Sequence, residues 1–186
     1  MPKLHVIAVS TRDGRAGFPI VEWTVAQAKA HAGFEVELVD LREVGLPLFD
    51  EAHHPRLRKY EHAHTKAWSA RVEAADAFVF VTPEYNHGTP PSLVNALDYL
   101  VHEWAYKPVG FVSYGGVSAG TRGVQMTKQI VVGLRMVPVV EAVNIPMFTK
   151  HITDGVFDGS AQEKPATAMF DELARWTSAM APLRAP

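Results

Sequence analysis

Five short apolar runs, rich in β-branched and aromatic residues, recur along the chain. They lie at residues 4–9, 34–39, 77–81, 109–114 and 137–143. Runs of this length and composition predict β-strands.

Between these runs, apolar residues recur at helical spacing. One set is Leu93, Leu97, Leu100 and Val101, and a second is Ala119, Gly123, Met126, Ile130 and Leu134. A closing helix, bounded by Pro165 and Pro182, is indicated by Met169, Leu173, Trp176 and Met180. Alternating strands and helices predict a parallel sheet with right-handed crossovers and helices on both faces. We expect one domain over residues 1–186, a flavodoxin-like three-layer α/β sandwich with strand order 2-1-3-4-5.

The loop at residues 83–91 follows the third predicted strand and leads into a helix pattern. Tyr85 offers an aromatic ring with a polar tip, Asn86 offers donors and acceptors, and Gly88 permits close backbone approach. In the predicted strand order, the loops after the first and third strands wall the ligand crevice. The loop therefore suits a planar ligand with polar edges. The same residue types also suit a tight turn in which Thr89 caps the helix, and the loop alone leaves both interpretations open.

The loop at residues 10–19 follows the first strand and precedes a helix pattern that begins at Ile20. Its hydroxyls, backbone amides and two arginines are what a doubly charged phosphate requires. The chain has neither the Gly-Lys-Ser/Thr ending of a triphosphate loop nor a G-x-G-x-x-G motif. We interpret this loop as a site for a phosphate monoester, with an ordinary charged loop as the alternative.

The loop at residues 113–120 contains a match to G-x-S-x-G, the nucleophile elbow of α/β hydrolases, centred on Ser118. A hydrolase triad would need Glu141 as its acid and His151 as its base. A five-stranded chain with so short a tail lacks the larger sheet that usually carries this triad. We favour the alternative in which the glycines let backbone approach a flat ligand and Ser118 caps the next helix.

Composition excludes several classes of protein. Hydrophobic residues make up 47% and charged residues 20%, with a net charge of -2, which favours neither disorder nor a nucleic-acid partner. Without cysteine there are no disulfides or thiolate metal sites. The apolar run at the start is too short for a signal peptide, and no stretch is apolar enough to cross a membrane, so we expect a soluble cytoplasmic protein.

The polar segment at residues 42–65 interrupts the second crossover and either covers a site or contacts another subunit. It contains His53, His54, His62 and His64, but no fixed ligand motif accompanies them. We expect a solvated loop and no metal site.

Phosphate at one end and a planar ring at the other is the shape of FMN, and here the chain resembles a known family. The segment Pro83-Glu84-Tyr85-Asn86 resembles the signature of the NADPH-dependent FMN reductases, which include bacterial quinone, azo and chromate reductases. Further matching residues are Pro91, Leu93, Asn95, Ala96, Asp98, Leu100, Lys107-Pro108-Val109 and Ser113-Tyr114-Gly115-Gly116. The similarity covers most of the domain, from residue 4 to about residue 143.

The resemblance implies two groups of cofactor-binding residues. Those around the phosphate would be Ser10, Arg12, Arg15, Gly17, Phe18 and Pro19. Those along the isoalloxazine would be Pro83, Glu84, Tyr85, Asn86 and His87 on one side, and Ser113, Tyr114, Gly115 and Gly116 on the other. The family often has serine and asparagine in the phosphate loop, so this chain departs from its pattern there. His87 stands where relatives often have a small polar residue, and it either influences acceptor choice or lies at a solvated rim.

The resemblance also implies the chemistry. Such enzymes move hydride from NADPH or NADH to FMN and then reduce a quinone, free flavin or similar small acceptor. No side-chain acid or base is obligatory, so we name no catalytic residue. A flavodoxin-type electron carrier is the alternative, although its usual strong acidity is missing here.

The resemblance implies a homodimer or homotetramer, since relatives in this family are commonly dimers or tetramers. Trp104, Tyr106, His102 and residues 48–60 either supply contact surface or complete the monomer core.

Overall fold

A single parallel sheet forms the centre of the molecule, whose computed structural model describes residues 1–184. Its strands are β1 (Lys3–Ala8), β2 (Glu35–Asp40), β3 (Ala77–Pro83), β4 (Pro108–Tyr114) and β5 (Val137–Ile145). They pair in the order β2-β1-β3-β4-β5, and every pair is parallel. The predicted fold class and strand order are confirmed.

Burial explains why the apolar runs identified these strands. Every residue of β3 and β4 is buried, because helices cover both faces of the central strands. The strand ends differ from the predicted ones by one or two residues. In particular, β3 continues to Pro83 and β5 to Ile145, and both extensions lead toward the same edge of the sheet.

Among the described residues, six α-helices cover the sheet. The first, α1 (Phe18–His31), packs on one face with α6 (Glu163–Arg184). The opposite face carries α2 (Leu41–Val44), α3 (Ala63–Glu73), α4 (Pro91–Asp98) and α5 (Thr121–Gly133). Within residues 1–184, no helix combines the length and apolarity needed to cross a membrane.

The bounds predicted for the closing helix were wrong. Helix α6 begins before Pro165 and continues past Pro182. Pro165 lies in the first turn, where backbone N–H groups have no partner within the helix, so proline is tolerated there. Pro182 lies in the last turn, where it removes only a terminal hydrogen bond from an exposed stretch.

A small hairpin before α6 was not predicted. Strands β6 (Ile152–Thr153) and β7 (Val156–Phe157) pair antiparallel around Asp154 and Gly155, both at positive φ. An Asp-Gly pair in this conformation is a typical hairpin turn, and it was the feature of the sequence from which the hairpin could have been predicted. Phe157 then packs edge to face on Trp23 of α1, with 5.4 Å between the ring centroids.

The long segment between α2 and α3 packs against the α4 face. Trp104, which follows α4, is fully buried on this face beside Trp68, with 5.8 Å between their ring centroids, so it completes the core.

Two histidines of the long segment have partners close by. His64 bonds Asp50 through its Nε2 at 3.0 Å, and His62 stacks on His64. In the part of the chain that the structure describes, no group of three or more His, Asp or Glu side chains is arranged to hold a metal ion.

Candidate functional site

The loops after β1, β3 and β4 meet around a cavity of about 300 Å³ at the carboxyl edge of the sheet. This is the place where parallel α/β sheets bind ligands. Ten of the fifteen predicted site residues line it, so three loops distant in sequence share one space. They are Ser10, Arg12, Arg15, Gly17, Pro83, Glu84, Tyr85, Tyr114, Gly115 and Gly116.

The other five predicted residues lie outside this lining. Phe18 and Pro19 form the first turn of α1, and the Phe18 ring lies 4.4 Å from the guanidinium carbon of Arg15. Ser113 is fully buried and donates a 2.9 Å hydrogen bond to Asn144 Oδ1 in β5. Asn86 and His87 are exposed at the tip of their loop.

Three residues of the lining were not among the predicted site residues: Gly14, Ala16 and Phe148. The Phe148 ring packs against Tyr114, with 5.0 Å between the centroids, and its backbone N–H donates to Gly115 O at 3.2 Å. Phe148 follows β5, whose carboxyl end lies at the same edge. The position of β5 in the predicted strand order was the one sequence signal that Phe148 lies near the site.

The two arginines of the first loop have different environments. Arg15 forms a bidentate ion pair with Asp40, a buried carboxylate at the end of β2, and also donates to Ser10 O at 2.9 Å. Its charge is therefore already neutralised. Arg12 lines the same cavity, is exposed, and forms no ion pair within residues 1–184. The positive charge offered to a ligand comes from Arg12.

The amino end of α1 completes the anion-friendly side of the cavity. No side chain of the described residues caps this helix, whose N-cap is Gly17. An uncapped helix start presents backbone N–H groups and the positive end of the helix dipole. A Cβ at position 17 would lie only 2.4 Å from the Tyr114 ring, so glycine permits the close approach of α1 to β4.

Tyr85 links the loop after β3 to the loop after β1. Its hydroxyl lies 2.9 Å from Ser10 Oγ, in hydrogen-bond contact. Tyr85 and Gly88 exchange two backbone hydrogen bonds of 3.1 and 2.9 Å around Asn86 and His87. Both central residues have positive φ, 49° and 69°, as in a type I′ turn. The loop is therefore a closed and rigid hairpin.

Glu84 fastens that hairpin to the glycine-rich loop after β4. Its carboxylate accepts hydrogen bonds from Ser118 Oγ at 2.5 Å and from Arg122 N at 3.1 Å, at the start of α5. Burial alone would raise the pKa of Glu84, but the hydrogen bonds from Ser118 and the α5 amides lower it. Glu84 is thus an anion at neutral pH that supplies a helix cap from another loop.

Thr89 and Ser118 do not play their predicted capping roles. Pro90 is the N-cap of α4, and Thr89 Oγ1 instead contacts Thr127 Oγ1 of α5 at 2.9 Å. Gly120 is the N-cap of α5, and the Ser118 hydroxyl is committed to Glu84. The partner of this hydroxyl is a carboxylate rather than His151, which contradicts the nucleophile-elbow interpretation.

Tyr114 supplies a neutral hydrogen-bond donor to the cavity. Burial raises the pKa of its phenol, so the hydroxyl stays protonated at neutral pH. Together with Ser10 and Tyr85, it lines the cavity with hydroxyl groups that suit the polar, uncharged edge of a ligand.

Comparison with known proteins points to one family. The family model described as NADPH-dependent FMN reductase matches residues 2–150. An NAD(P)H-dependent FMN reductase of Schizosaccharomyces pombe is 39% identical over 165 residues, which are 87% of this chain and 81% of that protein. A probable NADPH:quinone oxidoreductase of Oryza sativa subsp. japonica is 35% identical over 101 residues, 53% of this chain and 50% of that protein.

A solved structure shares the fold. The flavoenzyme NAD(P)H:(acceptor) oxidoreductase FerB of Paracoccus denitrificans superposes with a TM-score of 0.78, at 18% identity, over 97% of this chain and 99% of that one.

Proposed function

Since the chain belongs to the NADPH-dependent FMN reductase family, we propose that the cavity between the loops after β1, β3 and β4 is its FMN site. Family membership makes the protein an FMN-dependent NAD(P)H oxidoreductase. When bound, FMN supplies the redox chemistry by taking hydride from NAD(P)H and passing it to an acceptor. The residues of this chain bind and orient the cofactor.

One observation carries the proposed orientation of FMN. The loop after β1 carries the exposed Arg12 and the uncapped start of α1, and Glu84 joins the other two loops of the cavity to each other. We take the first loop as one end of the site and the joined loops as the other. A phosphate fits the first end, because its charge is complementary to Arg12 and to the helix dipole. The isoalloxazine fits the second, where Tyr85, Tyr114 and the Gly115-Gly116 backbone present polar groups and a close-approaching main chain.

Arg15 has a supporting role in this proposal. Its pairing with Asp40 ties the phosphate loop to the end of β2. Arg15 therefore shapes the loop, while Arg12 neutralises the phosphate. We infer that this division takes the place of the serine and asparagine pattern that the family often has in this loop.

We also propose that the acceptor is a quinone or a similar flat, electron-poor molecule. The named quinone reductase of rice supports this class. A flat acceptor suits a cavity walled on one side by the Tyr114 and Phe148 rings. No side chain has to donate a proton to the acceptor in a fixed position, which allows acceptors of different shapes.

A titration tests the cofactor and the activity together. Protein stripped of flavin should quench FMN fluorescence at a one-to-one ratio, and the complex should lose its flavin absorbance when NADPH is added without oxygen. The FMN-loaded protein should then turn over repeatedly with NADPH and a small quinone, without any partner protein. Flavin binding without such turnover would point instead to a one-electron carrier, and failure to bind FMN would reject the proposal.

Replacing Arg12 tests the phosphate end. Arg12→Ala should raise the Kd for FMN about tenfold or more, since a charge-assisted hydrogen bond is worth about 1.5–3 kcal/mol. The affinity for riboflavin, which lacks the phosphate, should not change. Arg175→Ala is the matched control, because that arginine is 80% exposed on α6 and pairs only with Glu172 among the described residues. Equal FMN affinities for the two variants would remove Arg12 from the site.

The expected homo-oligomer and the cytoplasmic location remain proposals. Exposed apolar side chains at Leu48, Val117 and Met126 are available for a subunit contact. Light scattering on the purified protein would give the subunit number, and Met126→Glu should lower it if Met126 lies in the contact.

A further inference from the structure

A second cavity, of about 740 Å³, lies at the opposite edge of the sheet from the FMN site. Its lining residues precede strands rather than follow them: Asp76 leads into β3, Lys107 into β4 and Arg135 toward β5. Strand β4 has seven residues and separates the two edges by roughly 20 Å at the usual rise per residue. No step of flavin chemistry requires this cavity.

The lining carries an excess of positive charge. Four basic side chains contribute to it, namely Arg58, Lys107, Arg135 and Arg184, against the two carboxylates of Glu73 and Asp76. Arg58 pairs with Glu73 at 3.1 Å and Arg184 with Asp76 at 3.2 Å. The buried carboxylate of Glu103 lies 3.6 Å from Arg58 and so acts on the same arginine. Lys107 and Arg135 form no ion pair among the described residues.

Lys107 is unusual for a lysine because it is only 5% exposed. Its ammonium donates to Val72 O at 2.8 Å and to Glu73 O at 3.0 Å, at the carboxyl end of α3. These bonds use two of its three donors. Burial lowers the pKa of Lys107 to about 8, and a bound anion would offset that cost of desolvation.

Arg135 is held next to Lys107 by the backbone. Arg135 O accepts from Tyr106 N at 2.9 Å, and Val137 N donates to Lys107 O at 3.1 Å. The Arg135 guanidinium has one described polar contact, a long 3.4 Å bond to the Tyr106 hydroxyl. Two basic side chains that form no ion pair among the described residues therefore border one cavity, just before the adjacent strands β4 and β5.

The backbone conformation of the lining residues is a second, independent indication that this cavity binds a ligand. Nine non-glycine residues within residues 1–184 have positive φ, and three of them line this cavity: Arg58 at 50°, Tyr106 at 61° and Arg135 at 62°. Two of these are arginines just after helical turns, where glycine or asparagine is the usual residue. Side chains held at such positions against the backbone preference cluster at binding sites.

From the cavity, its charge and its left-handed arginines together, we propose that this edge of the sheet is a binding site for a small multivalent oxyanion. Arg135 would bind two of its oxygens side by side, and the remaining donor of Lys107 would bind a third. Phosphoryl and carboxylate oxygens share this chemistry, so the ligand class includes a pyrophosphate-like and a tricarboxylate-like anion.

Calorimetric titration of the FMN-loaded protein with pyrophosphate, and separately with citrate, tests the proposal. Loading with FMN keeps the phosphate end of the flavin site occupied. We expect one anion per chain, and the tighter of the two identifies the preferred oxygen chemistry. If neither anion binds in a buffer of matched ionic strength, the proposal is overturned.

Arg135→Gly makes the test specific, because it removes a cation and also relieves a positive φ. The variant should fold at least as well as the parent and retain its quinone reductase activity, yet bind the anion at least tenfold more weakly. Ala32→Gly is the matched backbone control, since Ala32 has φ 57° at the end of α1 and does not line this cavity. That control should leave anion binding unchanged. Parental affinity in Arg135→Gly would overturn the assignment.

Discussion

The hydroxyl of Ser118 donates a 2.5 Å hydrogen bond to Glu84 Oε1, which joins two loops that are 34 residues apart in the chain. The other oxygen of Glu84 accepts from the backbone N–H of Arg122. One carboxylate thus caps α5 and fixes the distance between the loops after β3 and β4. These are the loops that we place along the isoalloxazine.

Glu84→Gln should therefore weaken FMN binding although Glu84 need not touch the cofactor through its side chain. The amide keeps the shape but loses the charge that favours the start of α5 and the strong bond from Ser118. We expect a loss of about 1–2 kcal/mol in stability and a severalfold rise in the Kd for FMN. Ser118→Ala leaves the Arg122 bond in place and should show a smaller effect. Thermal melts with and without FMN measure both quantities, and equal effects of the two variants would contradict the capping role.

Much of the fold was predictable because burial leaves a continuous local signal. The residues of β3 and β4 are apolar at nearly every position since helices cover both faces, and the sequence shows this directly. The order of elements then restricts the topology to very few choices. The carboxyl edge of the sheet, and with it the three loops of the site, followed from that topology.

The partners of polar side chains were not predictable in the same way. Arg12 and Arg15 look equivalent in sequence, and only Asp40 distinguishes them, from a different strand. Ser118 matches a nucleophile motif, and only Glu84 reveals its role. Each pairing depends on the exact placement of two loops, which no local pattern encodes.

Arg15→Ala should destabilise the protein much more than Arg12→Ala. The substitution leaves Asp40 with a side chain that is only 4% exposed and without its ionic partner, although Arg42 N still donates to it at 3.0 Å. Breaking one side of a buried ion pair costs about 3 kcal/mol. Denaturant unfolding measures this difference. Arg15→Ala combined with Asp40→Asn should recover part of the loss, and no recovery would show that the pair is not the cause.

Gly17→Ala should disturb the cavity through Tyr114. The added methyl group would overlap the Tyr114 ring, which is 4% exposed and cannot move into solvent without losing its packing. We expect about 1–3 kcal/mol of destabilisation, as for other overpacked sites, and weaker FMN binding. Gly133→Ala is the control, because nothing lies within 4 Å of its added methyl and alanine favours a helix by about 0.5–1 kcal/mol. If Gly17→Ala behaves like its control, α1 and β4 are not in close contact.

His87→Gly separates the two interpretations of this residue. His87 has φ 69° at the second central position of its turn, a conformation that costs a non-glycine residue about 1–2 kcal/mol. The variant should thus gain about 1 kcal/mol of stability and keep its affinity for FMN. We expect unchanged ratios of kcat/KM across a panel of neutral and charged quinones, as for a residue at a solvated rim. A changed ratio would assign His87 to acceptor selection instead.

His5 should make the protein less stable in mild acid. Its ring is 1% exposed, and neither ring nitrogen has a hydrogen-bond partner within residues 1–184, although Nε2 lies 3.3 Å from Glu37 Oε2 without suitable geometry. Burial lowers the pKa of His5, and the neighbouring charges of Arg71 and Lys107 lower it further against the opposing effect of Glu37.

The sign of the effect follows from proton uptake. Below the ordinary pKa of 6.5, the unfolded chain binds a proton that the folded His5 does not, so stability falls as the pH decreases toward the lower folded value. The slope from this residue is at most about 1.4 kcal/mol per pH unit. The ring centroids of His5 and Phe78 are 6.1 Å apart in the parent protein. His5→Phe keeps an aromatic ring beside Phe78 and removes the titrating group. Unfolding free energies measured between about pH 7 and 5.5, above the carboxyl range, should decline for the parent and stay flatter for the variant. Parallel declines would show that the acid sensitivity arises elsewhere.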